Sequence, residues 1–336
     1  MRSNLSIQDM QNLKNVALGL DKADIVISNG TLVDVYSGAL LHNYSVAIKG
    51  EWIAAIGQNL EHAKGKDTYV LDACGKIIAP GFIEGHTHLN YLFSPENFLR
   101  QAMAGGTTTI ITESGEIIYT AGLKGLLQLL ESWREQPVKV YATIPPPLNL
   151  GKSGYTIWPS IAQMKKLLHR EDIVGVGESY WQMVLSGNDH LPPLAEEALK
   201  LGKTVEGHTA GAHDEKLMSY LAYGINSCHE PVSVEDVLER LRLGLFVMIR
   251  QGSIREELDA MVKLKDMRID FSRISLVTDG MDPRDLVKRG YLESAVQKAI
   301  DLGFDFIRAI QMVTINPATH FRLDHFTGGI APGKHA

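Results

Sequence analysis

Two histidines, His86 and His88, stand one residue apart in the segment GFIEGHTHL, which follows the apolar run KIIAP. On extended backbone, residues i and i+2 point to the same side of the chain. Two imidazoles on one side suit two ligands of one divalent metal ion, whose nitrogens must approach to about 2.1 Å. Because His-x-His segments also arise by chance in loops, this pair alone does not establish a metal site.

Four more side chains that can bind a metal each come at the end of an apolar, strand-like segment. Glu178 ends IVGVGE, His208 follows KTVEG, His229 follows INSC and Asp279 follows ISLVT. In barrel enzymes the active site is built at the C-terminal ends of the strands. Packing does not explain why so many ligand types occur at equivalent positions. The sequence therefore predicts that they converge with the paired histidines on one metal site.

The elements that must position these residues follow from the pattern of apolar residues. Residues 24–80 are short β-rich runs broken by turn signals, whereas residues 81–320 alternate apolar strands with amphipathic helices such as VEDVLERLRLG. With a first strand at 77–83, the alternation gives about eight units, which favours a (β/α)8 barrel over a doubly wound sheet. The predicted fold is therefore α/β, a TIM-like barrel with a small N-terminal β-sandwich-type domain.

The predicted domains are an N-terminal extension with a helical pattern, a small β domain, the barrel and a Gly-rich final segment, at 1–23, 24–76, 77–323 and 324–336. The final segment contains GGIAPGKHA. We expect it to lead back towards the β domain and into a further strand, so the chain is interpreted as truncated. Strand edges left exposed in the β domain would pair with another chain, which predicts a homo-oligomer.

Composition restricts the partners and the location. The chain has 336 residues, of which 45% are hydrophobic and 21% charged, and its net charge is -6. This balance predicts a small-molecule substrate and no attraction to nucleic acid or anionic membranes. The sequence shows neither a signal-peptide pattern nor an apolar run of membrane-spanning length, which predicts a cytoplasmic protein. Cys74 and Cys228 cannot form a disulfide framework and are interpreted as structural.

Five segments carry a resemblance to a known family: PGFIEGHTHL, VEGHTAGA, YGINSCHEPVSVEDVLERLRLGLFVMIRQGS, LVTDGMDPRDLVKRGYLESAVQKAIDLG and AIQMVTINPATHFRLD. They are similar to the adenine deaminase branch of the metal-dependent amidohydrolase superfamily, over nearly the whole chain from about residue 24. Most members of the superfamily bridge two metal ions with a carbamylated lysine, whereas this branch uses a glutamate. Glu178 at the end of IVGVGE matches that glutamate.

The resemblance implies a site with two divalent metal ions. Manganese or iron(II) is favoured and zinc is possible, because imidazole and carboxylate ligands accept all three. The implied ligands are His86, His88 and Asp279 for one ion, His208 and His229 for the other, and Glu178 between them.

The resemblance also implies a reaction, the hydrolysis of adenine to hypoxanthine and ammonia. Asp279 is the candidate for taking a proton from the attacking water and passing it to the leaving nitrogen. His229 or Glu230 is the candidate for polarising the substrate. An equally good interpretation of Glu230 is a residue at the N-terminus of the following helix, where a carboxylate favours the helix dipole.

Three loop segments depart from the pattern of adenine deaminases. NYL replaces Glu-Ser-Ser after the paired histidines, ESGE replaces Asp-Pro-His-Glu, and GMD replaces Asp-Arg-His after the last ligand. Two alternatives therefore stay open, a hydrolase of cyclic or linear amides with the same dinuclear site and a catalytically silent metal-binding protein. The retained Asp279 argues against a silent protein. The candidates for substrate binding are Asn90, Glu113, Glu116 and His213.

Overall fold

The computed structural model describes residues 5–89, 95–147, 158–187 and 189–336. By packing, the chain divides into two compact units, Met1–Gly81 with Phe306–Ala336, and Phe82–Asp305. This division puts residues 306–323 with the first unit, whereas the sequence prediction counted them with the barrel. The predicted domain boundaries otherwise stay a prediction.

The first unit begins with a capped helix and contains one mixed sheet. Ser6 and Asp9 form a capping box at the start of the helix. The elements of this unit before the barrel are α1 Ile7–Ala17, β1 Ile25–Asp34, β2 Ala39–Lys49, β3 Trp52–Gly57, β4 Tyr69–Asp72 and β5 Ile77–Ile78. In the sheet the strand order is β3-β2-β1-β4, β5 also pairs with β1, and both β4 and β5 run parallel to β1.

The second unit is a TIM-like barrel of parallel strands, as predicted. Within the described residues, β6 to β10 form one sheet in chain order and β11 to β13 form another. The Asn226 N–H donates to Val205 O between the two sheets, and the Asp279 N–H donates to His86 O beside β6. The strands are β6 Phe82–Thr87, β7 Thr107–Glu113, β8 Lys139–Ile144, β9 Ile173–Tyr180, β10 Thr204–His208, β11 Ser227–Cys228, β12 Phe246–Arg250 and β13 Ile274–Val277.

Helices alternate with these strands, and capping residues in the sequence mark where two of the helices begin. Ser160 with Gln163, and Ser233 with Asp236, form capping boxes. The described chain between β12 and β13 has two short 3-10 turns in place of an α-helix. The helices are α2 Pro95–Ala104, α3 Gly115–Trp133, α4 Ile161–Leu168, α5 Trp181–Leu185, α6 Leu191–Lys200, α7 Asp214–Leu221, α8 Val234–Arg242, α9 Pro283–Arg289 and α10 Leu292–Asp301.

The last part of the chain belongs to the first unit. It contains α11 Phe306–Gln311 and α12 Ile315–His320. The segment after them runs beside β3, where the Ile53 N–H donates to Lys334 O and the Ala336 N–H donates to Glu51 O. The described residues of this unit form a single sheet, and the predicted β-sandwich stays a prediction. Among the helices that the structure describes, none is long and apolar enough to cross a membrane.

The predicted first barrel strand was wrong in its extent. Residues 77–78 pair with β1 in the first unit, and the barrel strand begins only at Phe82. Pro80 separates the two, because proline has no N–H to donate to a strand partner. As a consequence His86 lies inside β6 and not beyond its end, and His88 is the first of the pair to follow the strand.

Candidate metal centre

His86, His88 and Asp279 form the first of two groups of candidate ligands. Asp279 Oδ1 lies 3.3 Å from His86 Nε2 and 3.5 Å from His88 Nε2. Two ligands that are each about 2.1 Å from a tetrahedral ion stand about 3.4 Å apart, so these distances fit one shared ion. His86 Nε2 is buried and has no partner in hydrogen-bonding geometry among the described residues. A divalent ion would satisfy this nitrogen.

The backbone around this group is held by the buried carboxylate of Glu84. It accepts hydrogen bonds from the Thr278 N–H at 3.1 Å and from the His86 N–H at 3.2 Å. Asp279 follows with φ of 60°, a left-handed conformation that aspartate tolerates better than most residues. Burial raises the pKa of Glu84 to about 7. Glu84 on β6 therefore binds the backbone just after β13, directly beside the ligand candidates.

His208, His229 and Glu230 form the second group. Glu230 Oε1 lies 3.2 Å from His229 Nε2 and 3.6 Å from His208 Nδ1. Although burial opposes it, the adjacent His229 ring lowers the pKa of Glu230 to about 2. The N-cap of α8 is Ser233, so Glu230 lies before the helix and its side chain faces the two histidines. A role of Glu230 in the chemistry stays a prediction.

Glu178 lies between the two groups. Its Oε1 is 3.8 Å from His88 Nε2, and its Oε2 is 2.9 Å from His208 Nδ1 and 3.3 Å from His229 Nε2. The rings of His86 and His229 stack with centroids 3.9 Å apart. All six ligand candidates predicted from the sequence therefore meet at one end of the barrel, with a carboxylate oxygen of Glu178 facing each group.

The charges of this cluster compensate one another. Burial disfavours charge on His88, but the carboxylates of Asp279 and Glu116 outweigh it and raise the pKa of His88 to about 11. In the same way Glu178 outweighs the effect of burial on His229 and raises the pKa of that ring well above its usual value. Metal ligands bind in their deprotonated form, so a divalent ion would take the place of these protons. The donor set fits such an ion.

Glu116 and Glu113, both predicted to bind substrate, contact ligand candidates. Glu116 Oε1 lies 2.5 Å from His88 Nδ1, the ring nitrogen that does not face Asp279. A carboxylate behind an imidazole is a common way to orient a metal-binding histidine. Glu113 Oε1 accepts a hydrogen bond from the Glu178 N–H at 3.1 Å, and burial together with the charge of Glu178 raises the pKa of Glu113 to about 8. Their binding of substrate stays a prediction.

The other two substrate-binding candidates are not part of this cluster as described. His213 is half exposed, and its ring lies 2.8 Å from Glu239 and 3.8 Å from Asp236 on α8. Asn90 lies outside the described residues. A contact of either residue with substrate stays a prediction.

Comparison with known proteins decides the family. A model described as the amidohydrolase family matches residues 77–336. The chain belongs to the amidohydrolase family. A divalent metal centre is characteristic of that superfamily, and the two ligand groups are in agreement with it.

The curated relatives of this amidohydrolase include adenine deaminases, which confirms the predicted resemblance. This chain is 33% identical over 332 residues to the adenine deaminase of Cenarchaeum symbiosum (strain A), and the match covers 98% of this chain and 54% of the relative. It is 37% identical over 334 residues to the adenine deaminase of Moorella thermoacetica, and that match covers 97% of this chain and 55% of the relative. The chain thus spans about half the length of the curated relatives it matches.

Solved structures share the fold of this amidohydrolase. Molinate hydrolase matches with a TM-score of 0.67 and 17% identity, over 94% of this chain and 88% of that chain. A β-aspartyl dipeptidase from Fervidobacterium islandicum AW-1 matches with a TM-score of 0.67 and 16% identity, over 93% of this chain and 90% of that chain. At such low identity the likeness concerns the fold alone.

Sequence reasoning missed two residues of the site in this amidohydrolase. Arg250 Nη1 donates to Glu230 Oε1 at 2.6 Å and to Asp279 Oδ2 at 3.2 Å, and the same guanidinium pairs with Glu257. A signal for Arg250 was present, since it ends the apolar strand FVMIR at the position where other strands carry ligands. Glu257 had no such signal, because it reaches the site through a loop.

Proposed function

We propose that this amidohydrolase is a metal-dependent hydrolase of carbon–nitrogen bonds that deaminates an aminopurine, adenine to hypoxanthine and ammonia in the simplest case. The observation that carries the proposal is the placement of Glu178, with one carboxylate oxygen towards each ligand group. The similarity to adenine deaminases at 33% and 37% identity over nearly the whole chain supports the choice of substrate.

The proposed site holds two divalent ions, with manganese or iron(II) favoured and zinc possible. The absence of thiolate from the ligand candidates supports this set of metals. When bound, two such ions supply Lewis acidity that lets water lose a proton near neutral pH. The proposed ligands are His86, His88 and Asp279 for one ion, His208 and His229 for the other, and Glu178 for both.

Proton transfer in this proposal is the task of Asp279. It accepts a proton from the attacking water and passes it to the exocyclic nitrogen, which leaves as ammonia. Its two oxygens have different surroundings, because Oδ1 faces the imidazoles of His86 and His88 and Oδ2 faces Arg250. In this proposal His229 or Glu230, whose side chains lie 3.2 Å apart, polarises the substrate.

The hydrolysis of a cyclic or linear amide by the same site is the second candidate. Glu113 and Glu116, which would grip the amidine edge of a purine, instead contact Glu178 and His88. That observation favours a substrate without an amidine edge. A catalytically silent protein is the weakest candidate, because it would not need the left-handed backbone that presents Asp279.

The decisive experiment loads the full chain with manganese, iron(II) or zinc and compares two reactions. Ammonia release from a panel of aminopurines is measured beside ring opening of cyclic amides. We expect ammonia from adenine and none from a Glu178→Ala variant. Ring opening without ammonia release, in protein that holds two metal ions per chain, would favour the amide hydrolase.

We also propose a cytoplasmic homo-oligomer in which the first unit forms part of a β-sandwich. The support is the edge strand β4, whose Tyr69, Val70 and Leu71 are all exposed. Exposed apolar edge strands tend to pair with other chains. Light scattering after size exclusion tests this, and we expect a mass above that of one chain.

A further inference from the structure

Arg250 ends β12 and contacts three carboxylates with one guanidinium that is only 4% exposed. Glu257 takes two of its nitrogens, Nε at 3.0 Å and Nη2 at 2.7 Å. The remaining nitrogen, Nη1, donates to Glu230 Oε1 at 2.6 Å and to Asp279 Oδ2 at 3.2 Å. One nitrogen therefore joins a carboxylate of the first ligand group to a carboxylate of the second.

The loop after β12 holds Glu257 in place. The Glu257 N–H donates back to Arg250 O at 3.0 Å, and the Gly252 N–H donates to Arg255 O at 2.8 Å. A Cβ at residue 252 would lie 2.0 Å from Thr278 O, so only glycine allows this approach of the loop to the end of β13. With two nitrogens fixed by Glu257, the direction of Nη1 is fixed as well.

The two oxygens of Asp279 need different partners if one of them is to bind a metal ion. Oδ1 faces His86 Nε2 and His88 Nε2, whereas Oδ2 is the oxygen that Arg250 contacts. A hydrogen bond to one oxygen stops rotation of the carboxylate and so directs the other. Arg250 Nη1 also donates to Glu230 Oε1, and this same oxygen faces His229 Nε2.

We propose that Arg250, held by Glu257, is a positioning residue that fixes Asp279 and Glu230 in their orientation towards the metal ligands. The inference rests on the proposed function insofar as Asp279 binds a metal ion and transfers a proton. It adds to that function a residue that touches neither substrate nor metal and acts through two carboxylates.

A purely electrostatic role of Arg250 makes the opposite prediction for metal binding. A cation beside a dication repels it, so its removal alone would strengthen metal binding. Loss of orientation weakens metal binding, typically by about 10-fold to 100-fold for partners of the ligands. Arg250→Lys separates the two roles, because lysine keeps the charge but lacks the planar fork that reaches three carboxylates at once.

The experiment measures Mn²⁺ binding to the metal-free full chain by competition with a chelator, and then kcat and KM of the loaded protein. For both Arg250→Lys and Arg250→Gln we expect Mn²⁺ binding to weaken about 10-fold and kcat to fall about 100-fold. We expect KM to change less than kcat, because Arg250 acts on the substrate only through Glu230. The matched control is Arg170→Gln, since Arg170 pairs with Asp172 before β9 and contacts no ligand candidate.

Arg250→Gln leaves the buried Glu257 without its counter-ion and can unfold the barrel. The double variant Arg250→Gln with Glu257→Gln removes both charges and keeps the same test available, with melting temperature as the check on folding. Folded variants that bind Mn²⁺ like the parent, or more tightly, would overturn the proposal. Mn²⁺ binding needs no substrate, so a failure of the proposed deaminase activity leaves this outcome readable.

Discussion

Among the described residues, a buried and an exposed cluster of histidine and carboxylate side chains have similar compositions and different surroundings. In the first, His86, His88 and Asp279 bring their ligand atoms within 4.8 Å of one another, and in the second His213 does the same with two carboxylates of α8. The His86 side chain is 4% exposed and that of His213 is 50% exposed. Proximity of ligand types therefore does not distinguish a metal site from a surface cluster.

The partners of the carboxylates make the distinction. On α8, Asp236 accepts hydrogen bonds from the N–H groups of Val232 and Ser233, and Glu239 accepts one from Asp214. These carboxylates serve helix capping and loop structure. In the buried cluster His86 Nε2 has no such partner among the described residues. A site for an ion is recognised by buried atoms that local structure does not use.

The largest expected effect is that of Glu178→Ala. The variant removes the carboxylate that faces both ligand groups. We expect at least one metal ion per chain to be lost and kcat to fall by more than about 10³-fold, because the removal of a ligand disrupts both binding and chemistry. Elemental analysis and ammonia release measure the two effects. Two bound ions with full turnover would show that the bridging role is wrong.

Removal of metal by a chelator is expected to have the next largest effect. If ions bind only the folded buried cluster, their removal lowers the melting temperature by several degrees, and Mn²⁺ restores it. A His213→Ala variant should show the same shift as the parent, since its cluster is not the one that binds. A shift that disappears in His213→Ala would place the ion in the exposed cluster instead.

His213→Ala by itself is expected to change little. Its ring pairs with Glu239 on a half-exposed surface, and pairs of this kind contribute about 0–1 kcal/mol to stability. We expect metal content to stay the same and kcat to stay within about twofold. Elemental analysis and steady-state kinetics are the measurements. A loss of kcat of about 100-fold would instead support the predicted contact between His213 and substrate.

The smallest effect concerns pH and Glu239. Although burial opposes it, the Asp214 N–H and the His213 ring lower the pKa of Glu239. A carboxylate with a lowered pKa contributes stability above its unfolded pKa of about 4.5 and loses it as the pH falls through the folded value. Glu239→Gln should therefore lower the melting temperature by about 1 °C at pH 7 and by less at pH 3. Thermal unfolding at both pH values tests this.

The six ligand candidates could be predicted because each lies near the C-terminal end of an apolar strand, and parallel strands place such ends on one face of the barrel. The start of β6 was missed because an apolar run continues across Pro80, and only pairing shows that Ile77 and Ile78 belong to another sheet. Arg250 was missed because arginine is not a metal ligand and its partners come from three separate segments. The position of Arg250 at the end of FVMIR was a local signal, but no local pattern reveals which carboxylates it contacts.

The contact between β6 and the residues that follow β13 has a consequence for how the protein folds. Thr87 and Thr278 are 191 residues apart in sequence, yet their side chains are in contact. The first ligand group draws on both ends of that long interval, so a nascent chain has no complete group until the last strand has been made and has docked. Acquisition of the ion would therefore report closure of the barrel. An ion bound there would also hold together the two ends of this long interval, whose closure is entropically costly.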